Sequence, residues 1–223
     1  MEKVSKSIIL FFIFYTNLYT ESNAQMPKSY LALGDSYTIG ESVPIFESFP
    51  YQTVKIFRNN GLKIQAAEIV AKTGWTTDEL LSGIENSALQ KKYDFVTLLI
   101  GVNNQYRGKS IEEFASQFKI LLDKAIAFAG GNKKKLVVLS IPDWGVSPFA
   151  EGKDRKKIAL EIDAYNLLKQ QITLEAGVRF INITEGTREA ASDPSLLAKD
   201  KLHPSGKDYK RWADKVVKCF SEK

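Results

Sequence analysis

Four short stretches of this chain carry residue types that work together in acyl chemistry. Gly34-Asp35-Ser36 offers a serine hydroxyl, a nucleophile once a base takes its proton. The same serine would serve equally well as a turn or helix-cap residue. Gly74, within Ala71-Lys72-Thr73-Gly74-Trp75, is either a plain turn or a backbone N–H free to face a developing oxyanion. Asn103, within Gly101-Val102-Asn103-Asn104, is either a turn residue or an amide whose NH₂ donates to that oxyanion. Asp200-Lys201-Leu202-His203-Pro204 holds the only histidine, three residues after an aspartate. That spacing lets the carboxylate accept from the imidazole Nδ1–H inside one loop and leaves Nε2 as a base. A lone histidine is also a common surface or satisfied core residue. Around Ser36 only Gly34 fits a Gly-x-Ser-x-Gly elbow, because Thr38 stands where the second glycine would be.

These residues need a frame, and the hydrophobic pattern supplies one. Apolar runs of strand length occur at Tyr30–Leu33, Ala66–Ala71, Phe95–Ile100, Leu136–Ile141 and Val178–Ile183. Each is short and nearly continuous, as in strands buried on both faces. Helical patterns lie between them. Thr76-Thr77-Asp78-Glu79 caps one running to about Leu89. Ser110-Ile111-Glu112-Glu113 is a capping box for another, which carries Phe114, Phe118, Leu121, Leu122, Ala125 and Ile126 and ends at Gly130-Gly131. Lys153 to Ala176 predicts a long helix ending at Gly177. Ser205 opens the last, with Trp212, Val216, Cys219 and Phe220 on one face. Alternating strands and helices predict a parallel sheet covered on both sides. In such sheets ligands bind beyond the carboxyl ends of the strands, where the candidate residues fall.

Residues 1–24 read differently. Lys3 and Lys6 precede an apolar run from Ile8 to Tyr15, and Ser22-Asn23-Ala24 offers small residues for a peptidase. This is the pattern of a secretory signal, with a domain of residues 25–223 and a secreted or periplasmic protein as the expectation. The run is interrupted at Thr16 and Asn17, well short of the ~20 apolar residues of a spanning helix, so no stable span is expected after cleavage. One cysteine excludes an internal disulfide and any CxxC motif, and one histidine argues against a His-rich zinc site. The net charge of +5 is modest. Lys133–Lys135 and Arg155–Lys157 lack interleaved aromatics and read as solvated surface, with no nucleic-acid partner expected.

Taken together and in order, Gly34-Asp35-Ser36, Gly74, Gly101-x-Asn103 and Asp200-x-x-His203 resemble the four blocks of the SGNH hydrolases, the GDSL esterase/lipase family. The resemblance spans nearly all of residues 25–223. It implies a flavodoxin-like three-layer α/β/α fold with a five-stranded parallel sheet, and hydrolysis of a small-molecule or glycan-linked acyl ester without metal or organic cofactor. By position it makes Ser36 the nucleophile, His203 its base and Asp200 the partner of the imidazole. The Ser36 and Gly74 N–H groups and the Asn103 side chain become the oxyanion hole, and Asp35 is a structural residue. Two positions depart from the family pattern. Tyr37 replaces an apolar residue such as leucine, and Asn104 replaces an aspartate, which keeps a hydrogen bond but not the charge.

An acyltransferase would use the same residues. A non-catalytic binder on this fold would be expected to lose Ser36, Asp200 or His203, and a nucleotide-binding relative would carry a Gly-x-Gly-x-x-Gly or Walker motif, which is absent. Phe46, Phe49, Trp144 and Phe149 fall after predicted strands and could wall a cleft or pack the core. The Asn182-Ile183-Thr184 sequon falls in a predicted strand.

Overall fold

The computed structural model describes residues 26–222; the expected signal segment, residues 1–24, lies outside them. Five strands form one sheet: β1 (Tyr30–Asp35), β2 (Glu68–Lys72), β3 (Phe95–Leu99), β4 (Leu136–Leu139) and β5 (Arg179–Ile181). Every pairing is parallel and the order is β2-β1-β3-β4-β5. The helices are α1 (Ser36–Ile39), α2 (Phe49–Asn59), α3 (Thr77–Glu85), α4 (Val102–Tyr106), α5 (Ile111–Phe128), α6 (Arg155–Glu175), α7 (Thr184–Arg188) and α8 (Gly206–Ser221). This is the flavodoxin-like order expected from the sequence.

Side-chain alternation along β1 divides the core. Tyr30 and Ala32 pack with Val54 and Phe57 of α2 and Val217 of α8. Leu31 and Leu33 join the larger cluster that includes Leu80 of α3 and Phe114 and Phe118 of α5. Successive strand residues point to opposite faces, so one strand binds both helical layers. All six β1 residues are buried, which is why the strand reads as an unbroken apolar run.

Some boundaries differ from the sequence reading. The helix α2 was not anticipated, although Phe49, Thr53, Val54 and Phe57 recur on its buried face. Phe49 is therefore core, packed against Trp212 with ring centroids 6.1 Å apart, and Phe46 is exposed; neither lines the cleft that holds Ser36. The strand β5 stops at Ile181, so Asn182 lies outside it, exposed, with its side-chain oxygen accepting the Thr184 N–H. At the start of α5, Ser110 caps the Glu113 N–H, while the Glu113 carboxylate turns to Lys109 and Gln117, leaving half a capping box. Cys219 is partly buried against the core, as its helical position predicts.

The order of the strands fixes where a site can form. From β1 the chain moves to β2 on one side and then to β3 on the other. The loops leaving β1 and β3 therefore diverge and open a crevice between them at the carboxyl edge.

Candidate active site

Ser36 is the first residue of α1, immediately after the last residue of β1. Asp35 caps this short helix by accepting the Tyr37 N–H at 3.0 Å. The Ser36 N–H lies in the first helical turn, where no intrahelical acceptor exists. Gly34 makes this strand-to-helix step possible. A β-carbon there would sit 2.1 Å from Thr38 Oγ1 and 2.4 Å from the Leu99 carbonyl oxygen, distances no side chain tolerates. The glycine lets β1, β3 and α1 converge directly beneath Ser36.

The other end of the chain meets Ser36 here. His203 Nε2 lies 2.9 Å from Ser36 Oγ, and His203 Nδ1 lies 2.6 Å from Asp200 Oδ2. The carboxylate is fully engaged. Its Oδ1 accepts the backbone N–H groups of Leu202 and His203, both at 3.0 Å. Its Oδ2 also accepts the Ser42 hydroxyl at 2.7 Å. Partial burial would push this carboxyl up, but the hydrogen bonds from His203, Ser42 and the two N–H groups outweigh it and hold Asp200 at about 2. Asp200 is thus an anion and acceptor throughout the neutral range. Both turns that meet at this carboxylate carry backbone strain: Lys201 has φ 58° and Ser42 φ 64°, left-handed values that non-glycine residues seldom adopt.

Ser42 was not singled out in the sequence. Its role depends on a contact across 158 residues and carries no local signature. Tyr37 explains its own departure from the family pattern. The ring is buried and lies 4.8 Å from the imidazole centroid, tilted by 51°, backing the face of His203.

The turn after β3 begins at Gly101, whose φ of 126° suits glycine alone; a β-carbon there would also lie 2.7 Å from the Phe114 ring. It delivers Asn103 and Asn104 on α4. Asn103 Nδ2 donates to the Trp75 carbonyl at 3.0 Å, which uses one amide hydrogen and leaves the other for the cleft. Asn104 is fully buried and clasps Thr77 twice. Its Oδ1 accepts the Thr77 N–H at 3.1 Å and its Nδ2 donates to Thr77 Oγ1 at 2.7 Å. The Thr77 hydroxyl in turn donates to Gln117 Oε1. An amide does here what a carboxylate could not, since only an amide can donate to a hydroxyl that is itself donating. Arg107 adds a further tie, giving a hydrogen bond to the Gly74 carbonyl at 2.6 Å and reaching Glu79 at 3.3 Å. The helix α4 and the Gly74 loop are therefore tied together by hydrogen bonds from Asn103, Asn104 and Arg107.

Ser36, Gly74, Asn103 and His203 line a single cleft of about 140 Å³, walled by Val102, Tyr106, Trp144, Phe149 and Leu202. Of the anticipated wall residues, Trp144 and Phe149 do line it. Tyr106, Trp144 and Phe149 pack on one another, with ring centroids 5.2 to 6.2 Å apart. Trp144 is held by its indole N–H, which donates to Gln105 Oε1 at 2.8 Å, and Gln105 donates to Glu161 at 2.7 Å. A hydroxyl beside an imidazole, a carboxylate behind it and donors across a cleft with largely apolar walls can together carry out nucleophilic attack on a carbonyl.

Comparison with known proteins agrees with this arrangement. Residues 32–211 match the model of the GDSL-like Lipase/Acylhydrolase family. No curated protein matches the chain. Among solved structures, Axe2, an acetylxylan esterase from Geobacillus stearothermophilus, has TM-score 0.66 at 18% identity, covering 88% of this chain and 95% of that one. The lipase/acylhydrolase from Enterococcus faecalis has TM-score 0.66 at 18% identity, covering 86% and 94%. Esterase EstA from a Pseudoalteromonas species, solved with monoethylphosphonate as inhibitor, has TM-score 0.65 at 16% identity, covering 86% and 97%. At these identities the structures report a shared fold, whereas the family match spans most of the sequence and includes every block around the cleft. The chain belongs to the GDSL-like lipase/acylhydrolase family and is an ester hydrolase.

Proposed function

We propose that this enzyme hydrolyses O-acyl esters of short carboxylic acids through a covalent intermediate on Ser36. The observation that carries the reading is the continuous hydrogen-bonded line Ser36–His203–Asp200, with its serine end in the cleft. His203 takes the Ser36 proton as Oγ attacks the ester carbonyl. Asp200 accepts from Nδ1–H, which keeps Nε2 basic and stabilises the imidazolium that forms. The carbonyl oxygen becomes an oxyanion facing the Ser36 and Gly74 N–H groups and the free Asn103 amide hydrogen. Each such donor is typically worth about 3–4 kcal/mol in the transition state. The imidazolium then protonates the departing alcohol. Water, activated by the same histidine, attacks the acyl-serine and releases the acid.

Cleft size supports the short-acyl reading. An apolar cavity of about 150 Å³ holds one benzene molecule, so an acyl group of roughly six heavy atoms fills these 140 Å³ and the rest of a longer chain would lie outside the cleft's open mouth. The acetyl ester substrate named for the Geobacillus esterase falls within this range. We also propose that residues 1–24 direct export, on the strength of their basic, apolar and small-residue order. Finding Gln25 as the first residue of exported protein would bear this out, and an intact Met1 on exported protein would refute it.

The test is a panel of nitrophenyl esters of increasing acyl length, with Ser36→Ala as control. Acetate through butyrate should turn over and long-chain esters should not. Loss of Ser36 should remove turnover by several orders of magnitude while thermal unfolding stays unchanged. A Ser36→Ala protein retaining more than about a tenth of the activity would overturn the assignment.

A further inference from the structure

Lys169 lies on the buried stripe of α6, in register with Ile158, Ile162, Tyr165 and Ile172, and none of its surface reaches solvent. An ammonium in an apolar core is expensive, and such groups are found where something holds them. Here Nζ donates to the Ile100 carbonyl at 2.9 Å and stands 5.5 Å from the centroid of the Phe118 ring. Ile100 is the residue between the end of β3 and Gly101, so this one bond fixes the peptide from which the Asn103 turn departs. A second feature lies nearby. The Asp35 carboxylate is fully buried, and its Oδ2 has no hydrogen-bond partner among the described residues. The Lys169 charge acts on it through space. Burial drives Asp35 up to about 7, against the pull of the Tyr37 N–H and Lys169, and drives Lys169 down to about 7, against the pull of Asp35. Asp35 caps the helix of Ser36, and Lys169 anchors the turn of Asn103. These buried groups therefore sit beneath the two halves of the reaction centre.

We propose that Lys169 is a positioning residue for ester hydrolysis, holding the Asn103 amide at the oxyanion through the Ile100 carbonyl. The proposal rests on the oxyanion role given to Asn103 above. Releasing the Ile100 carbonyl would let the turn shift. Displacements of about 1 Å in catalytic groups typically lower turnover by about 10²-fold.

The experiment compares Lys169→Met, close in shape but without charge or donor, in the wild-type and Asn103→Ala backgrounds. In the wild type, kcat should fall about 10- to 100-fold with KM changed less than about threefold. In the Asn103→Ala background the same substitution should lower kcat by less than about threefold, because the group it positions is gone. Thermal stability should fall by the same amount in both backgrounds, since the Ile100 carbonyl loses its donor and Asp35 its counter-charge whether or not Asn103 is present. That combination separates positioning from mere support, in which activity would fall only as stability falls. An equal loss of kcat in both backgrounds, or no loss in the wild type, would overturn the proposal. Asn103→Ala alone reports separately on the oxyanion reading: if it leaves kcat intact, that reading fails, whatever Lys169 does. Should Lys169→Met not fold, Lys169→Leu, which also lacks a donor, takes its place in both backgrounds with the same expectations. If neither folds, Lys169 is a core support and the proposal falls.

Discussion

Replacing Asp200 with asparagine changes one atom, and the structure shows what that atom must do. Each carboxylate oxygen accepts two hydrogen bonds, Oδ1 from the Leu202 and His203 backbone N–H groups and Oδ2 from Ser42 and the imidazole. An amide has one accepting end. With its NH₂ at the Oδ1 position it would face two backbone donors that cannot turn away, each costing about 1–3 kcal/mol when left unpaired. With its NH₂ at the Oδ2 position, Ser42 can rotate to accept and the imidazole can shift its proton from Nδ1 to Nε2. The second arrangement should win. It places an N–H against Ser36 Oγ where a lone pair is needed. We predict that Asp200→Asn lowers kcat about 10⁴-fold, with KM changed little, equivalent to about 5.5 kcal/mol of lost transition-state stabilisation. The fold should survive. Asp200 at about 2, against an ordinary carboxyl near 3.8, stabilises the native state above pH ~4, and that support fades as pH falls toward ~2. After discounting for partial exposure it amounts to about 1 kcal/mol. Steady-state hydrolysis of nitrophenyl acetate, with thermal unfolding alongside, measures both quantities. A folded variant retaining more than a tenth of wild-type kcat would refute the claim that Asp200 sets the tautomer.

Other expectations follow from the same geometry. Asn103→Ala should lower kcat by roughly 10²–10³ with a much smaller change in KM, and an effect confined to KM would make Asn103 a binding residue. Activity should depend on a neutral His203, so kcat/KM should rise with pH as the imidazole loses its proton. A flat profile while NMR shows the ring titrating would remove His203 from the mechanism. Trp144→Ala should raise the ratio of hexanoate to acetate hydrolysis by about tenfold or more by opening the cleft wall, and an unchanged ratio would show that this wall does not limit the acyl chain.

Much of the site was legible because it is built from local signals. The Gly-Asp-Ser turn, the Gly-x-Asn turn and the Asp-x-x-His loop each require particular residues at fixed short spacings, and the sheet aligns them without further instruction. The strands were visible as apolar runs because both faces of the sheet are covered. What escaped depends on contacts between distant residues. Ser42 reaches Asp200 across 158 positions, and Arg107 and Asn104 clamp the loop before α3 through bonds that no periodicity encodes. The helix α2 was legible in principle from Phe49, Val54 and Phe57, but the prolines at 44 and 50 and the polar residues between them made the segment resemble a loop. Lys169 had a signal too: a lysine on the apolar stripe of an otherwise amphipathic helix. A lysine normally extends to solvent from such a position, and only the placement of the Ile100 carbonyl shows why this one does not.

If the proposed chemistry holds, Ser36 forms the covalent bond to the acyl group. Incubation with a nitrophenyl alkylphosphonate, followed by intact-mass measurement and peptide mapping, tests it directly, because a serine activated by His203 displaces nitrophenolate and keeps the phosphonyl group as a stable mimic of the tetrahedral intermediate. One phosphonyl group per chain, located on Ser36, should appear in step with the loss of esterase activity and be absent from Ser36→Ala. Complete inactivation with the label on another residue, or with Ser36 unmodified, would contradict it.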